Sequence, residues 1–464
     1  MKRQRATAPA ASAPAARARR WRWLALEMVL IVAALAATRV LSINLWLLPN
    51  GDVKEYYNYA IAFWTWHPYF HNLPVEYPPL AIVPFTLTLL PPVLDYQTTF
   101  ALWMGALVIL GYFGFLRFST RARGLFYVFY LVLGAAATLL ARFDILPALV
   151  TLAALWAAGR KRFGVAYALL AVGILLKLYP AFLVPIVVIE HWRIARTRTV
   201  AEGLPLPLAN LREWREAPGA SLRRLLTHAV TRRVALGVGL CAALVTLAFA
   251  CALMFNPNGA LSGFQYAGAR PLQIESTPAT ILWLGSLVGI KAGPNYSFTS
   301  LNFVGPLDVA LKPLSAVALA GGCLWVYWRQ ARGKLSVGRA FLACLCVVLV
   351  TNKIFSPQYL IWVLPIVAET EGFDVVWVAI CFLTTLDFPI LYQLRHPIWT
   401  VSYTPLFMPV LALRNGLLLW VTVRAILRCT QGTARSGALK GQGAAGMPAA
   451  RQDEREDSQP ALAR

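Results

Sequence analysis

Apolar runs long enough to cross a bilayer recur along almost the whole chain, and short Lys/Arg clusters separate them. The clusters fall at 117–123, 160–162, 193–233 and 329–339, and in both tails. A soluble domain carries about a quarter charged residues, whereas this 464-residue chain is 14% charged and 58% hydrophobic, with mean hydropathy +0.59. Lipid must therefore solvate most of its surface. The net charge of +23 does not point to nucleic acid, because no basic surface is continuous and no reading motif is present. Its distribution follows the positive-inside pattern instead.

Placing every basic cluster on the cytoplasmic side predicts an all-α integral membrane protein, a polytopic helical bundle of roughly twelve spans with both ends inside. The spans fall near 24–48, 98–118, 124–141, 145–159, 163–178, 180–192, 234–255, 305–328, 338–352, 357–370, 373–392 and 404–427. Residues 1–22 are basic and Ala/Pro-rich, and 429–464 are Gly/Ala/Gln-rich and then charged, so both read as disordered cytoplasmic tails. The domain between them, 23–428, has a first external loop at 49–97, a cytoplasmic loop at 193–233 and a second external loop at 256–304. The apolar run 80–90 is bounded by Pro78-Pro79 and Pro91-Pro92. It is too short to span and reads as interfacial or re-entrant, as does 279–290. A further interfacial helix is expected near 211–226. The cysteines lie in or beside apolar runs and read as small buried hydrophobes, with no disulfide framework.

This threading sorts the isolated ionisable residues onto the outer side. Asp52 follows the first span in N-G-D-V-K-E-Y-Y, at the boundary between lipid and water. A carboxylate there can reach a water-borne acceptor and a lipid-borne donor. Sugar transfer needs a base for the acceptor hydroxyl, and a phosphate leaving group departs without protonation. An N-cap acid would serve equally well as an explanation of the residue type. Arg142 and Asp144 sit at one outer hairpin tip, where Arg142 can simply pair with Asp144; Lys177 sits at another. Arg270 and Lys353 lie at further outer turns. These four cations are candidates to hold a lipid phosphate, against snorkelling as the plainer account of Lys177. Glu55, Tyr56, Glu76, Tyr77, Gln273, Glu275 and His396 are candidate substrate contacts. Arg39, Asp387 and Arg414 fall within spans and read as buried pairs or cavity lining. No P-loop, dinucleotide fingerprint, H-E-x-x-H or D-x-D occurs, so nucleotide-sugar and zinc chemistries lack support, and no metal or cofactor is expected.

Taken in order, these motifs resemble the glycosyltransferase-C superfamily, and within it glycosyltransferase family 87, the polyprenyl-phosphate-mannose-dependent alpha-mannosyltransferases. The resemblance runs from about 40 to 420 and is carried by the Asp52 loop with Tyr56-Tyr57, Glu76-Tyr-Pro-Pro-Leu80, Arg142-Phe-Asp144, Lys177-Leu-Tyr-Pro180, Arg270-Pro-Leu-Gln-Ile-Glu-Ser276 and Ser356-Pro-Gln-Tyr359. It implies a multi-span bundle with interfacial helices in the first external loop and an Asp general base, carried over here to Asp52 alone. It implies a polyprenyl-phosphate sugar donor, inversion at the anomeric carbon, and a glycolipid or polysaccharide acceptor. A bacterial plasma-membrane location with the site facing outside follows from the same resemblance. A polyprenyl-linked lipid transporter or flippase without covalent chemistry, and a pentosyl- or glucosyltransferase of the same superfamily, are the competing readings.

Overall fold

A computed structural model describes residues 13–46, 51–201, 228–392 and 406–428. Its first helix, α1 (Ala13–Trp46), begins inside the segment expected to be an irregular tail. Alanine and arginine dominate that stretch, and both favour helix enough to extend the apolar run backwards. The loop expected at 49–97 is itself largely helical: α2 (Asp52–Thr65) is followed by a 3-10 turn at Pro79–Ala81 and by α3 (Ile82–Leu87). Next come α4 (Tyr96–Phe118), α5 (Arg121–Gly134), α6 (Ile145–Gly159), α7 (Phe163–Leu176) and α8 (Val184–Ala201). The 211–226 helix expectation and the tail after residue 428 lie outside the described residues.

The second half opens with α9 (Ala229–Phe255), α10 (Pro257–Ala269) and α11 (Thr277–Leu287). A β-hairpin then departs from the all-helical expectation: β1 (Gly293–Ser297) pairs antiparallel with β2 (Ser300–Val304) in the register Ser297↔Ser300. Phe298 and Thr299 form its two-residue turn, both at positive φ (54° and 53°), the geometry of a type I′ turn. Such turns normally announce themselves with Asn-Gly or Asp-Gly, and this one does not. The chain closes with α12 (Asp308–Ala331), α13 (Val337–Thr351), α14 (Leu360–Thr370), α15 (Val375–Thr385) and α16 (Phe407–Leu427).

Among the described residues, helices thus occupy most of each segment expected to span, although the one expected at 124–141 stops at Gly134. Five are long and apolar enough to cross a membrane alone among the described residues: Trp21–Val40, Tyr96–Phe118, Ala229–Phe255, Asp308–Ala331 and Phe407–Leu427. The most apolar stretch of Ala229–Phe255 is only 11% buried within the protein, so its Leu236, Leu247 and Met254 face outward. That surface is costly in water and natural in lipid. By contrast α13 and α14 are short and buried almost throughout. Protein rather than lipid surrounds them, which removes the need for full bilayer length.

Ion pairs gather the charged helix ends. Glu27 on α1 accepts from Arg121 and from Tyr112, both at 2.6 Å. Arg123 meets Glu369 at 3.2 Å, Arg424 meets Asp374 at 2.6 Å and Arg428 meets Glu371 at 2.7 Å. These contacts join the ends of α4, α14 and α16 to the starts of α5 and α15, so the basic clusters of the sequence share one end of the bundle. The turns carrying Arg142, Lys177 and Lys353 lie at the opposite helix ends.

Candidate functional site

Each element supplies its polar residue through a break in the helical ladder. Asp52 is the first residue of α2, just after Gly51, and Glu55 follows one turn later on the exposed side. Four residues on from Asp52, on the same face of the helix, Tyr56 is buried and stacks on Phe85 with ring centres 4.3 Å apart. Its hydroxyl lies 3.3 Å from that of Tyr77. Pro78 and Pro79 turn the chain here, so Glu76 and Tyr77 approach from the loop rather than from a helix.

Arg142 and Asp144 lie on the irregular turn between α5 and α6, and Lys177 caps α7. The pairing differs from the simple local one. Arg142 forms its ion pair with Asp52, and Lys177 Nζ donates to Asp144 Oδ1 at 2.5 Å. On this irregular turn the two side chains meet partners from other elements instead of each other. Trp362 Nε1 donates to the same Asp144 oxygen at 2.5 Å. The ammonium is ringed by Tyr77, Phe143, Tyr359 and Trp362 at 5.6, 5.1, 5.5 and 5.0 Å from the ring centres, an arrangement that stabilises a cation without water. Burial lowers the Lys177 pKa, with Arg142 acting in the same direction and Asp144 and Glu76 opposing. Burial also lowers Arg142 to about 10, against the nearby carboxylates of Asp144 and Glu275.

A cavity of about 280 Å³ opens beside this cluster. Glu76, Tyr77, Lys177, Lys353 and Tyr359 line its polar part, and Leu178, Phe182, Phe264, Val348 and Ile354 line an apolar wall. Asp52 and Arg142 do not line it. They adjoin it, since Arg142 lies within electrostatic reach of both Lys177 and Tyr359.

The remaining candidates divide. Arg270 donates to Ser300 Oγ at 2.9 Å across the hairpin, while its Nε is buried without a hydrogen-bond partner. It lies over the Tyr266 ring at 5.6 Å and within electrostatic reach of Tyr359. Lys353 donates to the carbonyls of Gly268 and Arg270 at 2.8 and 3.0 Å. Two of its three donors therefore fasten the Arg270 loop, and one is left for a ligand. Burial lowers its pKa, as do Lys312 and Arg270. Gln273 and Glu275 are buried behind this loop, with the Gln273 amide donating to Glu275 at 3.2 Å. The Glu275 carbonyl accepts from Arg414 Nη2 at 2.5 Å and from Asn415 at 3.2 Å. Arg414 meets Asp387 at 3.4 Å, both fully buried, as the sequence reading of these residues expects. His396 lies outside the described residues. Sequence reasoning missed Trp362 and Tyr266 and assigned Asp144 only to Arg142. Trp362 stands one helical turn beyond Tyr359, and that spacing was a usable signal.

No protein-family model and no curated protein sequence matches the chain. No group of three or more His, Cys, Asp or Glu side chains suited to a metal occurs among the described residues. The site itself offers two ion pairs, Asp52–Arg142 and Asp144–Lys177, two arginines with an unpartnered Nε, and a half-apolar cavity.

Proposed function

We propose that this chain is a polytopic membrane glycosyltransferase. It moves a sugar, mannose in the family it resembles, from a polyprenyl-phosphate donor to a glycolipid or polysaccharide acceptor outside the cell membrane. The observation that carries this reading is the cavity that combines Lys177 and Lys353 with an apolar wall. A prenyl phosphate presents that pairing of an anion and a hydrocarbon chain. Asp52 takes the proton of the acceptor hydroxyl as its oxygen attacks C1. The bond from C1 to the phosphate oxygen breaks, the phosphate keeps the electron pair, and the anomeric centre inverts. Charge gathering on the phosphate meets Lys177 and the remaining donor of Lys353 at the cavity, with Arg142 and Arg270 as the further cations beside it.

The deciding experiment incubates membranes containing the protein with defined polyprenyl-phosphate sugars and identifies the labelled product. Asp52→Asn is expected to lower transfer by on the order of 10²–10³, with expression and donor binding retained. Near-full transfer by that variant would remove Asp52 from the chemistry. A lipid transporter would instead move the intact donor across the bilayer, and recovery of unreacted donor on the far leaflet with no glycosylated product would favour it.

A further inference from the structure

A second cavity, of about 240 Å³, lies at the far end of α7 from Lys177 and is lined by Lys161, His191, Arg198 and Arg233 together with Phe163, Gly164, Ile194 and Ala195. The helix separates the two by about 20 Å at 1.5 Å per residue. We propose that this cavity is a binding site for a phosphate group, held by Lys161, Arg198 and Arg233.

Three elements supply the cations independently. Lys161 comes from the turn between α6 and α7, Arg198 from α8 and Arg233 from the second turn of α9. Lys161 holds φ +61°, a left-handed conformation that costs a non-glycine residue free energy and tends to persist at functional sites. None of the three has a carboxylate partner within ion-pair distance among the described residues. His191 stacks on Phe163 with ring centres 4.2 Å apart, and its Nδ1 is buried without a hydrogen-bond partner. The first turn of α7, whose leading amides have no partner within the helix, forms part of the wall and adds partial positive charge.

Ordinary positive-inside charge would spread evenly over this end of the bundle, and the neighbouring residues show the difference. Arg162, Arg196 and Arg232 stand beside the three cations in sequence and are exposed as they are, but do not line the cavity. Arg193 is already paired with Glu190 at 3.2 Å. Convergence on a cavity, rather than charge alone, marks the site. A phosphodiester headgroup of an anionic phospholipid and free phosphate share the required chemistry.

The test uses the full chain in detergent micelles, titrated with phosphatidylglycerol and followed by native mass spectrometry, with phosphatidylcholine for comparison and inorganic phosphate as competitor. Wild type is expected to retain phosphatidylglycerol over phosphatidylcholine. K161Q/R198Q/R233Q is expected to weaken that binding at least about tenfold, and R162Q/R196Q/R232Q, with the same change in net charge, by about twofold or less. Gly164→Leu adds bulk at a residue lining the cavity without altering charge or meeting a neighbour within 4 Å, and it is expected to lose binding as the pocket triple does. Displacement by inorganic phosphate identifies a site for phosphate from either source; resistance to it identifies a lipid headgroup site. Equal weakening by both triples, full retention by Gly164→Leu, or no preference in wild type would each overturn the proposal. Gly164→Leu also decides the matter if the pocket triple does not fold.

Discussion

Lys177 Nζ and Trp362 Nε1 both donate to Asp144 Oδ1, each at 2.5 Å. One carboxylate oxygen thereby fixes an ammonium from the end of α7 and an indole from α14. The Lys177 side chain sits among aromatic rings at the edge of the larger cavity. Asp144 is itself only 1% exposed, so its carboxylate cannot fall back on water.

Removing one member of such a pair strands the other as a buried charge, which costs about 3–5 kcal/mol, while replacing both by apolar groups is often nearly neutral. Asp144→Asn should therefore lower the thermal unfolding midpoint sharply. Asp144→Leu combined with Lys177→Met should recover most of that loss. Under the proposed function the double variant should still transfer no sugar, because its phosphate partner is gone. Thermal unfolding and transfer assays on the same preparations check this. Recovery of activity along with stability would show that Lys177 has only a structural role.

The lowered pKa of Lys177 gives stability and binding opposite dependences on pH. Burial is the main cause, and it favours the neutral amine below the ordinary lysine value of 10.5. Between the lowered value and 10.5 the unfolded chain binds more protons than the folded one, so this group makes folding more favourable as pH rises. A phosphate needs the ammonium, so donor affinity should fall over the same window. Arg142, lowered to about 10, adds to that fall at its alkaline end. The measurement is donor affinity between about pH 7 and pH 10, with Lys177→Arg displacing the fall to higher pH. Superimposable profiles for the two proteins would exclude Lys177 from donor binding.

Ala260, Gly263 and Ala267 present small side chains of α10 to the cavity, at spacings that share one helical face. Gly263 approaches the backbone at Val75 and Glu76, so α10 sits directly over the loop bearing Glu76. Ala267→Leu should occupy space that a prenyl donor needs, raising the KM for donor while leaving the folded fraction unchanged, whereas Gly263→Leu would press on the backbone of the Glu76 loop. Gly268→Leu is the control, because an added Cβ there meets nothing within 4 Å and the residue does not line the cavity. An equal effect from Gly268→Leu would mean that helix propensity, not cavity space, is responsible.

The helices were legible because apolar runs and basic clusters alternate over the whole chain. The clusters also revealed that Arg142, Lys177 and Lys353 share one end of the bundle. What periodicity could not convey is which ions meet. Arg142 and Asp144 stand two apart in sequence, yet each takes its partner from another element, Asp52 on α2 and Lys177 after α7. Such pairing is decided by how turns from distant parts of the chain pack together. The β-hairpin was hidden for a different reason. Its turn residues Phe298 and Thr299 adopt positive φ without the glycine or asparagine that normally signals it. Lys353 lines the cavity, but sequence could not convey that two of its three donors go to carbonyls of the Arg270 loop and one is left for a ligand.

Helix packing far from the cavity gives a prediction independent of any proposed chemistry. Gly237 on α9 lies against the ring of Tyr167 on α7, and a Cβ added at Gly237 would come within 2.2 Å of that ring. Tyr167 is itself fully buried, so the ring cannot swing away without displacing its neighbours. In a bundle surrounded by lipid there is little hydrophobic force between helices, and close approach through small residues supplies much of the attraction. Gly237→Leu should therefore force α9 away from α7 and destabilise the protein by about 1–3 kcal/mol or more. Gly239→Leu, two residues on, meets nothing within 4 Å and should be nearly silent. Pairing each variant with Tyr167→Ala separates the causes: relief of the Gly237→Leu defect by Tyr167→Ala identifies the ring as the obstacle, whereas additive losses would mean that α9 fails for a reason of its own.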